Sequence, residues 1–520
     1  MRVVTAREMR DVDELAISKF KIPSIVLMEN AGARSADIVA TKYNDLGWQT
    51  EILVFAGKGK NGGDALVTAR QLVAMGKKVR LFLLNSFDAY KEEAKVNLEI
   101  LLAQKIRPTV LENVTPLEEF FASASGPFLC VDGLLGIGFK GPLSGLYADV
   151  VDLINAKTDF CISLDIPTGV DATTGAVIGQ AIEADLTIAF GFAKLGHFIS
   201  PGSLHRGELK IADIALPTRF AEEGIIHAIS HKNMAPLLKR RDRYGHKNSF
   251  GHSLLIGGSP GKLGAISMAA KACLRVGTGL VTVATWQDCF EQIMGRLDDE
   301  IMCFGLNLNE KYYPEYKQII QDYSSVVIGP GMGTGEQAQK ILGDVIDYYQ
   351  GPLVIDADGI TMLADEKIKS KLHLRKQPTI LTPHPGELSR LLNISTKEVV
   401  DNPKAAVEKA AEETNAVVLL KGATTFISAG DGHLFLNHYP NDGMATAGSG
   451  DVLAGMIGGM VGQKMDPRDA VCLGVFAHSL SGDVAAQKLG HRAMTASSII
   501  DNLGEAFLKL RAFRETIDPV

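Results

Sequence analysis

Two groups of residues in this chain have the types and spacing that chemistry needs. In the second half, Thr446-Ala447-Gly448-Ser449-Gly450-Asp451 sets small residues before an acid at the opening of a helical stretch. Backbone N–H groups at such an end form an anion hole for a phosphoryl group in transfer, and the carboxylate just beyond is placed to take a proton from an attacking hydroxyl. Lys421-Gly422-Ala423-Thr424-Thr425 ends a strand with a lysine and two hydroxyls, groups suited to a nucleotide's phosphates. Gly329-Pro330-Gly331-Met332-Gly333, Asp356-Ala357-Asp358-Gly359 and Thr382-Pro383-His384-Pro385-Gly386-Glu387 each follow a strand of their own. His384, held between prolines at a strand end, reads as a ligand contact rather than a core histidine.

The first half carries Asn61-Gly62-Gly63-Asp64, Val131-Asp132-Gly133-Leu134-Leu135-Gly136-Ile137-Gly138 and Leu164-Asp165-Ile166-Pro167-Thr168-Gly169. Each puts polar groups and glycine at a strand end, and in a parallel sheet such ends converge on one crevice. Asn61, Asp132 and Thr168 supply amide, carboxylate and hydroxyl or carbonyl oxygens, a hard set of low charge suited to a weakly charged cation rather than zinc. Asp165, beside an apolar-flanked loop, is the candidate general base. Asp64 is expected to cap the helix that this turn opens.

Three tempting motifs meet chemical objections, which weaken the first and exclude the other two. Gly57-Lys58-Gly59-Lys60-Asn61-Gly62 matches a dinucleotide turn, but the next strand ends in Asn85-Ser86 and offers no acid for a ribose hydroxyl. Gly257-Gly258-Ser259-Pro260-Gly261 matches a nucleophile elbow, yet Pro260 has no N–H for the oxyanion hole. Gly261-Lys262 is followed by Leu263, where a P-loop needs Ser or Thr for magnesium.

Positioning these residues requires alternating strands and helices, and the sequence supplies them twice. Apolar runs at 51–56, 78–84, 128–132, 159–165 and 185–190 alternate with helical stretches, which predicts a doubly wound parallel sheet. The pattern breaks into polar, charged sequence at 215–247 and restarts with strands expected at 253–257, 279–284, 325–329, 352–356, 378–382 and 416–420. A β-rich patch at 424–437 precedes a helical C-terminus. The fold class is therefore α/β with two doubly wound domains, 1–220 and 230–515, in a chain of 520 residues. No sequence repeat relates the two halves.

The first-half motifs, with Glu29-Asn30-Ala31-Gly32, resemble the NAD(P)H-hydrate epimerase family over residues 1–218. The resemblance implies a Rossmann-like domain that interconverts the R and S forms of hydrated NAD(P)H. It implies a potassium ion on Asn61, Asp132 and Thr168, with Asp165 at the reacting centre. The nucleotide would be gripped by Lys60, Asn61, Gly62, Gly63 and Asp64 and by the loop of Gly136, Ile137, Gly138, Phe139, Lys140, Gly141 and Pro142. Lys60 stands where relatives usually carry asparagine, at a position that works through its backbone. The second-half motifs resemble the ribokinase superfamily through Gly448-Ser449-Gly450-Asp451. Within it they resemble the ADP-dependent NAD(P)H-hydrate dehydratases, over 235–510. That implies ADP and Mg2+ as cofactors, Asp451 as the catalytic base, and the hydrate on Ala265, Met332, His384 and Asp451. ADP would lie along Lys421, Gly422, Ala423, Thr424 and Thr425. It would also meet Asn441, Asp442, Gly443, Met444, Ala445, Thr446, Ala447, Gly448, Ser449 and Gly450. Asn248 departs from the glycine expected there.

Together the resemblances imply a bifunctional repair enzyme whose partners are the hydrate epimers and ADP. Two other readings use the same residues: an ordinary small-molecule kinase in the second half, and a non-catalytic binding module in the first. Lys+Arg 53 against Asp+Glu 60 gives a net charge of −7 and no basic field for nucleic acid. Six scattered cysteines form no CxxC pair, which suits a reducing compartment. No apolar stretch is long enough for a membrane span and the N-terminus lacks a signal-peptide pattern, so a cytoplasmic protein is expected. A homo-oligomer is expected too, with glycine-rich helix near 454–462 available for close packing against another subunit.

Overall fold

The computed structural model describes residues 1–307 and 317–517. The chain divides into two compact units, Arg2–Gly224 and the part from Ile225 onward.

The first unit contains β1 (Arg2–Val4), β2 (Ile52–Ala56), β3 (Val79–Leu83), β4 (Thr109–Val110), β5 (Leu129–Gly133), β6 (Phe160–Leu164), β7 (Leu186–Phe190), β8 (Ala193–Lys194) and β9 (Glu208–Ala212). Seven of them form a parallel sheet in the order β4-β3-β2-β5-β6-β7-β9. The central strands read as unbroken apolar runs because helices cover both faces. Alternation divides them: Ile52, Val54 and Ala56 join one core, while Leu53 and Phe55 join the other. The strand order reverses between β2 and β5, so the crevice opens beyond the carboxyl ends of these two strands and β6. Helices Ala6–Ser18 and Ser24–Asp45, the second of which carries Glu29-Asn30-Ala31-Gly32, pack onto this unit and close one side of the crevice.

The second unit contains β10 (Ile226–Ala228), β11 (His252–Ile256), β12 (Leu280–Trp286), β13 (Ile301–Leu306), β14 (Ser325–Ile328), β15 (Leu353–Ile355), β16 (Thr379–Leu381), β17 (Val417–Leu420), β18 (Thr424–Ser428) and β19 (Leu434–His438). Their order is β13-β12-β11-β14-β15-β16-β17-β18-β19-β10. Pairing is parallel from β13 to β17; β18 runs antiparallel to both neighbours, forming the β-rich patch. The strand order turns at β11 and β14, and the polar loops after β14, β15, β16 and β17 all leave the carboxyl edge.

The helical C-terminus comprises Ser449–Gly462, Pro467–Leu489 and Ala496–Ile517. The first of these is buried from Val452 to Gly462. The glycine face expected to meet another subunit is occupied by this chain itself: a Cβ on Gly455 would lie 2.0 Å from the carbonyl oxygen of Ala269, and one on Gly458 2.1 Å from Val327. All six cysteines are free, and five are buried. Among the described residues no helix is long and apolar enough to cross a membrane.

Candidate active sites

In the first unit the loop after β2 feeds helix Lys60–Ala74. Gly59, in an extended conformation, occupies the cap position and no side chain caps the helix. Asp64 therefore lies a turn inside it and is not the expected cap. The cause is Gly62, whose Cβ would sit 1.7 Å from the Gly57 carbonyl oxygen. Only a glycine allows so tight a fold-back, and that lets the helix begin at Lys60.

The three residues singled out for a cation come together. Asp132, wholly buried, accepts from Thr168 Oγ1 at 2.7 Å, Thr168 N at 3.0 Å, Ser163 Oγ at 2.8 Å and Leu134 N at 3.1 Å. Burial pushes its carboxyl pKa up against the pull of those donors. Asn61 Nδ2 donates to the carbonyls of Leu135 at 2.9 Å and Leu164 at 3.1 Å. Its Oδ1 is buried without a hydrogen-bond partner among the described residues. An orphaned buried amide oxygen is costly and suits a monovalent cation, and Leu135, which meets both Asn61 and Thr168, brings Asn61 near the Thr168–Asp132 pair.

A cavity of about 510 Å³ opens beside this cluster. Its lining comprises Lys58–Asn61 and Asp64 from the loop after β2 and the helix it opens, Leu134–Phe139 from the loop after β5, and Asp165, Phe190 and Lys194. Gly62 and Gly63 turn into the protein, Gly63 against Met28, while Lys140, Gly141 and Pro142 lie beyond the lining. Asp165 is held in the left-handed region at φ +64°. Its Oδ1 accepts from Phe190 N at 3.0 Å and from the buried Lys194 ammonium, which also donates to Phe190 O at 3.1 Å. Two further carboxyls face the cavity. Burial, reinforced by the Asp165 charge, pushes Asp13 up to about 6 and Asp64 well above the usual range. The sequence reading missed Lys194 and Asp13. Lys194 follows a strand end closely enough to have been noticed, whereas Asp13 arrives on a helix far away in the chain.

In the second unit, helix Ser449–Gly462 starts behind Gly448, left-handed at φ +92° with no room for a Cβ beside Met268. Ala447, Gly448 and Asp451 at its start line a cavity of about 380 Å³ together with Ala265, Met268, Gly331 and Asp358 among others, and the Ser449 N–H is taken up by the Thr446 carbonyl at 3.3 Å. Burial, helped by the Asp356 charge and opposed by Lys421, lifts Asp451 to about 7. That is the range in which a carboxylate serves as a base near neutral pH. Lys421 bonds Asp356 at 2.9 Å and lies 4.0 Å from Glu387; Thr382 Oγ1 also donates to Asp356, at 2.6 Å. Burial works to lower the Lys421 pKa, but Asp356 and Glu387 outweigh it and hold it above the ordinary value. The ammonium stands 3.2 Å from where a Gly450 Cβ would be, so the 421–425 segment and the anion hole share one place. Behind the hole, buried His478 sits 3.4 Å from Ser449 Oγ, its pKa lowered by burial to about 4.

The remaining sequence candidates are placed as follows. His384 caps helix Pro385–Leu392, its Nδ1 accepting from Gly386 N at 3.0 Å and Glu387 N at 3.2 Å. The Met332 side chain is buried and its carbonyl accepts from the Trp286 indole at 3.1 Å. Thr424 Oγ1 meets His438 Nδ1 at 2.7 Å, and Thr425 is buried. Asn441 accepts from Gly443 N at 3.0 Å and donates to Asp483 at 3.1 Å, which shapes the short turn Asp442–Met444 before Ala445, Thr446 and Ala447.

Comparison with known families supports this division. Residues 253–504 match the family model described as NAD(P)H-hydrate dehydratase, and residues 24–196 match that of the YjeF-related protein N-terminus. The chain is 37% identical over 532 aligned residues to a bifunctional NAD(P)H-hydrate repair enzyme of Moorella thermoacetica, covering 99% of this chain and 98% of that protein. It belongs to the bifunctional NAD(P)H-hydrate repair enzymes. A second member, from Thermofilum pendens, is 35% identical over 100% of this chain and 98% of its own length. Among solved structures, an ADP/ATP-dependent NAD(P)H-hydrate dehydratase from Bacillus subtilis, co-crystallised with ATP/Mg2+, is 26% identical with a TM-score of 0.48. It covers 54% of this chain and 97% of that one.

Proposed function

We propose that the chain repairs hydrated NAD(P)H in two steps, epimerising the R and S forms in the first unit and dehydrating the S form at the expense of ADP in the second. The observation that carries the reading is Asp451, a desolvated carboxyl lifted to about 7 at the mouth of a backbone anion hole, with the Lys421 ammonium beside it.

Hydroxide is a poor leaving group, and phosphorylation turns the ring hydroxyl into a good one. Asp451 takes the hydroxyl proton as the oxygen forms its bond to the terminal phosphorus of ADP, and the bond from that phosphorus to AMP breaks. The N–H groups of Gly448 and Gly450 stabilise the charge that develops, and Lys421 neutralises the phosphate chain. Phosphate then leaves the ring with the C–O bonding pair while the neighbouring ring C–H yields its proton to water, restoring the double bond. The products are NAD(P)H, AMP and phosphate. Mg2+, when bound, would neutralise phosphate charge; Asp358 on the cavity wall is the carboxylate that fits it.

In the first unit, Asp165 is the base at the reacting centre. The hydroxyl-bearing carbon of the hydrate is also bonded to the ring nitrogen, so removing the hydroxyl proton allows the ring to open and reclose on either face. Lys194 and the Phe190 N–H orient the carboxylate. Potassium on Asn61, Asp132 and Thr168 would satisfy the orphaned Asn61 oxygen and tie together the loops after β2, β5 and β6. Lys60–Asp64 and Gly136–Phe139 would grip the nucleotide.

Separate purification of Asp451→Ala and Asp165→Ala, each given mixed epimers and ADP, tests the reading. The first variant loses hydrate-dependent AMP formation. The second consumes the S form normally and leaves the R form to its spontaneous rate. Normal AMP formation by Asp451→Ala overturns the assignment.

A further inference from the structure

Outside both sites, the second unit holds a groove of about 670 Å³ between the segment following Ala235–Leu237 and the last helix, Ala496–Ile517. Lys239, Arg240, Arg241 and Arg243 from the segment meet Arg511 and Arg514 from the helix, with Glu515 as the only acid on the lining among the described residues. Six cations against one carboxylate is a sharp local reversal in a chain of net charge −7. Like charges converging from two elements repel each other, so the arrangement calls for an anion.

The cations are not all spent on structure. Arg514 does hold the fold, donating to the Leu238 carbonyl at 2.8 Å, and Arg241 lies 3.8 Å over the Phe250 ring. Arg511 is 3.1 Å from Glu515 and Arg240 a weaker 3.8 Å. Lys239, which acts electrostatically on Asp469, and Arg243 make no side-chain hydrogen bond or close ion pair among the described residues. Helix-dipole compensation accounts for Arg511 and Arg514 near the helix C-terminus, but not for four cations on a different segment. The floor is apolar: Leu238, Phe507 and Leu508 lie between the charges, and Leu508 is 65% exposed.

We propose that this groove binds a small, multiply phosphorylated ligand with an apolar or aromatic head, of nucleotide size. Guanidinium forks match phosphate oxygens in pairs, the apolar floor accommodates a flat ring, and the volume suits a nucleotide rather than an extended polymer. The site is independent of the dehydratase cavity, because none of its residues lines that one.

The test uses the full chain, equilibrium dialysis at low ionic strength, and two probes: ADP and inorganic tripolyphosphate. Wild-type protein should hold one more ADP per chain than Arg240→Glu/Arg243→Glu, while the variant keeps its dehydratase kcat, which also shows that it folds. Tripolyphosphate should displace that extra ADP. Leu508→Ser, which removes apolar floor without adding charge, should weaken ADP at this site at least tenfold and leave tripolyphosphate binding within about twofold. Equal ADP stoichiometry in wild type and the double variant overturns the proposal. So does a change in oligomeric mass in the double variant without loss of bound ADP, which would make the groove a contact between copies.

Discussion

The raised carboxyl of Asp451 makes a quantitative demand on stability. Unfolded, the group titrates near 3.8; folded, near 7. The native state therefore holds a proton that the unfolded chain has released, and stability falls as pH rises from about 4 to about 7, then levels off. At ~1.36 kcal/mol per pH unit the full cost is about 4 kcal/mol. Asp451→Asn places a neutral side chain of the same shape there and escapes that cost. Its advantage over wild type should be about 1.5 kcal/mol at pH 5 and about 4 kcal/mol at pH 8. In a unit of this size that corresponds to a gain in Tm of roughly 8 °C at the higher pH. Scanning calorimetry of the ligand-free proteins from pH 4 to pH 9 reads the gap, and ADP identifies which transition belongs to the second unit by raising it. The same substitution should cut hydrate-dependent AMP formation by at least about 100-fold. In wild type, kcat/KM for the hydrate should climb with pH through a value near 7. A stability gap that does not widen between pH 5 and pH 8, or a variant within tenfold of wild-type rate, refutes the argument.

Other outcomes follow from the geometry. Lys421→Met leaves the buried Asp356 carboxylate without its cation and should lower stability by about 3–5 kcal/mol in urea unfolding, together with loss of ADP binding. Asn61→Leu keeps the branched outline but removes the unpartnered oxygen, along with the amide donor to Leu135 and Leu164; epimerisation should lose its response to added potassium chloride relative to choline chloride, whereas wild type retains it. Gly62→Ala drives a methyl to within 1.7 Å of the Gly57 carbonyl and should cost roughly 2–4 kcal/mol, read as a lower Tm of the first unit with dehydratase kcat unchanged.

The strand-end residues were legible in the sequence because a parallel sheet sends all its carboxyl ends to one edge. Asp132, Thr168 and Asn61 could be grouped without coordinates for that reason, as could Lys421 with Asp451. Such a rule reads each strand locally. It does not foresee a residue that a distant helix folds over the edge, and so Asp13 escaped it. Asp64 was misjudged for a different reason: its acid-after-glycine pattern suits a cap, but the fold-back permitted at Gly62 starts the helix a turn sooner. Likewise the glycines of 454–462 signalled close packing correctly and the partner wrongly, since hydropathy does not distinguish a neighbour within the chain from one outside it.

Asp165 carries a backbone twist that a glycine would adopt without strain and that costs an aspartate roughly 1–2 kcal/mol. Selection for the carboxylate is what opposes relief of that tension. A lineage that no longer needs the first unit's chemistry would gain robustness by exchanging Asp165 for glycine only together with loss of the Lys194 charge, whose buried ammonium would otherwise stand without its carboxylate. Such a replacement, found in a descendant that otherwise keeps the scaffold, would serve as a fossil record of abandoned catalysis.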